Sequence, residues 1–161
     1  MARVPAPKYP QIKGKKKVIH ILDTDIFTLA ELPDSPQYLH LHARILQLDS
    51  EDKVVTTIVT YEEQTRGWLA YAARSRDIPH QINAYGRLRQ HLRNYLGFEI
   101  LDFDDAAGRE FHRLQTLKLS VGASDLKIAA IAISQNATLL SRNLKDFRRI
   151  PGLKVEDWTG P

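Results

Sequence analysis

Val18-Ile-His-Ile-Leu-Asp-Thr-Asp25 is a β-like apolar run that ends in two carboxylates. Residues 18–22 read as a buried strand, and 25–32 as a short helix stopped by Pro33. Outward from this stretch the chain keeps alternating. Tyr38, Leu41, Ile45 and Leu48 recur at helical spacing, which predicts a helix over 37–48. The β-branched run 54–59 predicts a second strand, followed by a helix over 62–76. A further helix carries Ile82, Tyr85, Leu88, Leu92 and Leu96, with Gly97 as its C-terminal stop. Residues 98–101 predict a third strand. Ala107, Phe111, Leu114 and Leu117 mark the next helix. Ser124 offers an N-cap to 125–135, a helix apolar enough to be largely buried. Residues 138–141 predict a fourth strand and 153–156 a short fifth. Strands alternating with helices imply an α/β fold with a central, mostly parallel sheet and helices on both faces.

At 161 residues the chain suits one domain with a real core, beginning after a Pro- and Lys-rich basic tail over 1–17. The absence of cysteine excludes disulfides, thiolate metal sites and Cys nucleophiles. No apolar run approaches the roughly 20 residues of a membrane span, and the N-terminus lacks a secretory pattern, so a cytoplasmic protein is expected. Lys and Arg outnumber Asp and Glu by 23 to 19, a formal charge of +4, compatible with a nucleic-acid partner.

Four acids stand at strand ends or helix starts: Asp23, Glu63, Asp125 and Asp146. In an open parallel sheet such positions converge on one edge, where ligands bind. Carboxylates gathered there repel one another unless a divalent cation neutralises them, which points to Mg²⁺ or Mn²⁺ and phosphodiester chemistry. Each acid alone has a plainer reading. Asp23 could cap a helix; Glu62 and Glu63 could complement a helix dipole in a first turn; Asp146 and Asn143 could be turn residues. Asp125 opens an apolar helix that Ser124 already caps, so its charge calls for another partner. Thr24, Asp25, Glu62, Ser124 and Asn143 are candidate supporting residues around the acids. Arg66, Arg142 and Lys145 are candidate contacts to nucleic-acid phosphates, which position a strand without reading its sequence. The six histidines show no metal-ligand spacing; His40 and His42 would diverge on a helix.

Ile21-Leu-Asp-Thr-Asp25, Glu63 with Gly67, Ser124-Asp-Leu-Lys-Ile-Ala-Ala130 and Ser141-Arg-Asn-Leu-Lys-Asp-Phe147 together resemble the PIN-domain family, in particular its VapC-type toxin ribonucleases. The likeness runs on to Ile150-Pro-Gly-Leu-Lys-Val-Glu-Asp-Trp158, so it covers about 18–158. It implies a three-layer α/β/α domain over 18–161, with Asp23, Glu63, Asp125 and Asp146 holding one or two Mg²⁺ or Mn²⁺ ions. It also implies RNA cleavage, a small antitoxin partner and a homodimer. Three features depart from the family pattern. Asp25 stands where many relatives carry Asn, Glu62 beside Glu63 leaves the second ligand open, and the basic tail lies outside the family's extent. Two rival functions remain. Asp23-Thr-Asp25 is similar to the opening motif of the haloacid dehalogenases, but Lys118 and Asp104-Asp105 fit their later motifs poorly. A PIN-like module that binds RNA or a partner without cutting is the other.

Overall fold

The computed structural model describes residues 17–161, so the tail expected over 1–17 lies, except for Lys17, outside the described residues. Five strands form one sheet in the order β3-β2-β1-β4-β5: β1 (Ile19–Leu22), β2 (Lys53–Thr57), β3 (Ile100–Leu101), β4 (Thr138–Leu140) and β5 (Lys154–Glu156). Every neighbouring pair is parallel, so the sheet is wholly rather than mostly parallel. Seven helices connect the strands: α1 (Thr24–Ala30), α2 (Pro36–Ile45), α3 (Ile58–Arg74), α4 (Ile78–Tyr95), α5 (Asp105–Thr116), α6 (Ala123–Ser134) and α7 (Leu144–Phe147).

The two-residue period of the strands divides the interior between two faces. Ile21, Val55 and Leu139 point into a core built with α5, α6 and α7. Leu22 and Leu140 point the other way, into a second core with Ile26 and Phe27 of α1, Leu41 of α2 and Tyr95 of α4. The result is the expected three-layer α/β/α arrangement. Helix α6 is the keystone of the first face. Ile128, Ala129, Ala130, Ile131 and Ala132 are all fully buried, and small alanines allow close approach to the sheet and to α5. A helix apolar all round is stable only when enclosed on all sides.

Several boundaries differ from the sequence reading: β3 is only Ile100–Leu101 rather than 98–101, α2 stops at Ile45 rather than at 48, and α1 ends at Ala30 before Pro33. Two further shifts bear on the site. The run 54–59 reads as strand because it is β-branched, yet β2 ends at Thr57 and Ile58 already belongs to α3. The Thr57 hydroxyl accepts the Thr60 N–H at 3.1 Å and so caps α3. Glu62 and Glu63 therefore lie in the second turn, where the dipole of the helix terminus has faded. Ser124 is likewise no cap: Gly122 occupies the N-cap of α6, with no side-chain hydrogen bond to the first turn. Gly97 follows the α4 cap residue Leu96, which is right-handed, and Gly97 itself does not take up a positive φ.

Thr57 is fully buried, so Thr57→Val keeps the volume but orphans the Thr60 N–H. A loss of about 1–2 kcal/mol in urea unfolding is expected. Unchanged stability would show that α3 begins without this cap.

Candidate active site

The C-terminal edge of the sheet gathers the predicted acids from four elements. Asp23 follows β1 and caps α1, accepting the Thr24 N–H at 2.8 Å on Oδ1. Its Oδ2 accepts the Ser141 hydroxyl at 2.7 Å, across 118 residues of sequence. Ser141 in turn accepts the Asn143 N–H at 3.0 Å, and Asn143 Nδ2 donates to Asp146 Oδ2 at 3.1 Å. One polar chain thus runs from Asp23 through Ser141 and Asn143 to Asp146. Ser141 carries no role in the sequence reading; its position at a strand end beside Asn143 is the signal that could have marked it.

Thr24 joins the second half of the cluster, since its hydroxyl donates to Glu63 Oε2 at 2.5 Å. Glu62, one residue earlier, faces away and pairs with Arg66 at 3.1 Å on the exposed side of α3. Helix phase therefore turns Glu63, and not Glu62, toward the other acids. Asp125 lies in the first turn of α6, and its carboxylate caps nothing and accepts no hydrogen bond among the described residues. Ser124 is not drawn into the cluster either. Asp25 receives the Arg142 backbone N–H at 3.3 Å and the Arg142 Nε at 3.0 Å on Oδ2, while its Oδ1 is buried without a partner. Arg142 and Arg66, both expected to face RNA phosphates, are thus each engaged by a carboxylate; Lys145 is exposed and makes no ion pair among the described residues.

The electrostatics follow from this crowding. Burial, opposed by the Ser141 hydroxyl and reinforced by Asp25 and then Asp125, pushes the Asp23 carboxyl up to about 7. Burial also raises Asp125, helped by Glu63, Asp146 and Asp25 in that order. Asp23 and Asp125 thus resist ionisation chiefly through burial and partly because of the acids beside them. A divalent cation would answer that repulsion. The donors are all oxygen, the Asp25 Oδ1 is an orphan, and Asp125 is uncommitted, which fits a hard ion. Among the described residues no three acidic or imidazole side chains close into a ready-made coordination sphere. Water and substrate oxygens would complete one, as Mg²⁺ favours.

Comparison with known proteins agrees with the geometry. The model of the PIN domain family matches residues 21–153. The chain belongs to the PIN-domain family. Within it, the chain is 30% identical over 142 residues to Ribonuclease VapC1 of Haemophilus influenzae, covering 88% of this chain and 99% of that one. Among solved structures, VapBC2 from Rickettsia felis, bound to a promoter DNA fragment, superposes with a TM-score of 0.66 at 27% identity, over 88% of this chain and 99% of that one. VapBC-1 from nontypeable H. influenzae gives a TM-score of 0.68 at 24% identity, over 89% and 100%, and shares the fold. This PIN domain is therefore of the VapC type. Among its described residues no helix is long and apolar enough to cross a membrane.

A carboxyl whose pKa rises on folding supports the folded state only while protonated. For Asp23 that contribution is full below about pH 4 and is lost as pH climbs through about 7. In metal-free protein, Asp23→Asn should therefore match wild type in urea unfolding at pH 4 and exceed it at pH 8, by no more than about 4 kcal/mol. An equal difference at both pH values would show that burial and the neighbouring acids do not raise the Asp23 carboxyl.

Proposed function

We propose that this edge is the catalytic centre of a divalent-metal-dependent endoribonuclease, the toxin of a toxin–antitoxin pair. Asp23, Glu63, Asp125 and Asp146 hold Mg²⁺ or Mn²⁺ in this reading. The observation that carries it is Asp125: a carboxylate raised by burial and by three acidic neighbours, yet free of any capping or hydrogen-bonding duty. Structural acids are normally paired, and one left uncompensated beside others is arranged for a ligand.

When bound, the cation supplies Lewis acidity and charge neutralisation to a phosphodiester at the pocket. The chain's own residues set the geometry around it. Ser141 and the Thr24 N–H hold the Asp23 carboxyl by both oxygens. The Thr24 hydroxyl fixes Glu63, and Asn143 fixes Asp146. With their oxygens held in place, the acids need little reorganisation as charge builds on the phosphoryl oxygens, which is where a preorganised site gains rate. Arg142 restrains Asp25 and still lines the rim, where Lys145 can meet a backbone phosphate. The VapBC composition of the solved relatives supports an antitoxin partner, and the family likeness supports a homodimer.

Purified protein freed of any antitoxin should cut single-stranded RNA with Mg²⁺ or Mn²⁺ and not with EDTA. Losing a hydrogen-bonded support of a metal ligand typically costs ~10–100-fold, so Asp125→Asn should reduce kcat/KM by at least about 100-fold. Cleavage that survives in the variant would place the centre elsewhere. RNA binding with no turnover under any metal would favour the non-cutting module. Ser141→Ala should keep activity but raise the Mg²⁺ concentration for half-maximal rate by about 10-fold. An unchanged metal requirement would leave Ser141 without a part in the site.

A further inference from the structure

Helices α3 and α6 pack together and present two adjacent faces at this edge. One face carries Glu63 and Asp125. On the other face, Glu62, one residue before Glu63, and its partner Arg66, with Ser124, one residue before Asp125, and Lys127, border a cleft of about 470 Å³. Ile58 and Phe103 supply its apolar walls. That size lies within the ~300–1,000 Å³ of small-ligand clefts. Phe103 lies two residues past the end of β3, so the cleft sits at the same sheet edge as the acids, on the side away from Arg142 and Lys145.

Lys127 is the cation without an acidic partner there. Arg66 is already matched by Glu62, whereas Lys127 makes no ion pair or hydrogen bond among the described residues. Its Nζ instead lies 5.9 Å from the ring centre of Phe103 and 5.8 Å from that of Phe111. The two rings meet edge to face, with centres 5.8 Å apart and planes at 77°. A cation–π contact of this kind steadies the stem while leaving the ammonium's three donors for an acceptor. Ser124, three residues before Lys127 on α6, shares its face, and its hydroxyl is uncommitted among the described residues. An apolar wall, an aromatic ring and an unpaired ammonium are the elements of a single-stranded nucleic-acid subsite.

We propose that this cleft receives the nucleotide flanking the cleaved phosphodiester, its base against Phe103 and Ile58 and its phosphate at Lys127. The assignment rests on the ribonuclease reading above. It gives the strand a path across the acids, from the Lys145 rim on the β4 side to Lys127 on the β3 side. Lys127 and Phe103 are binding residues in this account and leave the chemical step to the acids.

The test uses a short single-stranded oligoribonucleotide that wild-type protein cuts with Mg²⁺. Lys127→Met keeps the stem packed on Phe103 and removes only the charge. It should raise KM about 10-fold with kcat little changed, and should flatten the salt dependence of log KM by about 0.7, as for one lost phosphate contact on a single strand. Lys127→Arg should restore both. An abasic nucleotide on one side of the cut bond should raise KM for wild type by about 5- to 50-fold, and far less for Phe103→Leu, whose ring is gone. Wild-type cleavage with an unaltered KM and salt slope in Lys127→Met would overturn the subsite while leaving the nuclease intact. So would abasic penalties equal in wild type and Phe103→Leu on both sides. Absence of any wild-type cleavage would instead remove the ribonuclease reading, and this inference with it.

Discussion

Mutual repulsion among carboxylates at one sheet edge is the constraint on which the rest of the site depends. Asp23, Asp25, Glu63, Asp125 and Asp146 feel one another, and Asp23 is also nearly buried. Left to itself such a cluster would relax by rotating side chains into water. It does not, because short hydrogen-bonded props hold most of its members: Ser141 on Asp23, Thr24 on Glu63, Asn143 on Asp146 and Arg142 on Asp25. The stress is therefore built in, and a hard divalent cation is the natural ligand to relieve it.

Those props work only on a rigid frame. Ser141 reaches Asp23 because β1 and β4 are neighbours, with Leu22 opposite Leu140 and the Asp23 N–H bonded to the Leu140 carbonyl at 3.0 Å. Asp125 is held by the buried α6, whose fully enclosed Ile128 to Ala132 segment cannot rotate without opening the core. Glu63 is set by the phase of α3, which Thr57 fixes at its first residue. Core packing and cap chemistry are thus translated into the spacing of acids, and the same two helices that aim Glu63 and Asp125 at one another shape the cleft beside them.

Much of this architecture is legible in the chain itself. The order of strands and helices follows from periodicity, because strands buried on both faces and an apolar α6 leave strong patterns. The Asp23, Glu63, Asp125 and Asp146 constellation follows from where acids interrupt those patterns. What escapes is long-range or depends on helix phase. Ile58 and Val59 are β-branched and read as strand, while the Thr57 cap that overrules them is a single hydroxyl. Gly122 supplies no side chain to mark the start of α6, so Ser124 looks like the cap. The choice between Glu62 and Glu63 turns on which face of α3 meets α1, and the part of Ser141 on a contact spanning 118 residues. Arg66 and Arg142 read as free cations because their acidic partners become visible only in the folded chain.

The carboxyl carbon of Asp23, followed by NMR across pH with and without Mg²⁺, tests the central claim most directly. Burial, reinforced by the neighbouring acids, predicts titration near pH 7 in the metal-free protein, falling toward the ordinary carboxylate range once Mg²⁺ is added. Titration near pH 4 that is indifferent to Mg²⁺ would contradict it, and would reduce Asp23 to the cap of α1.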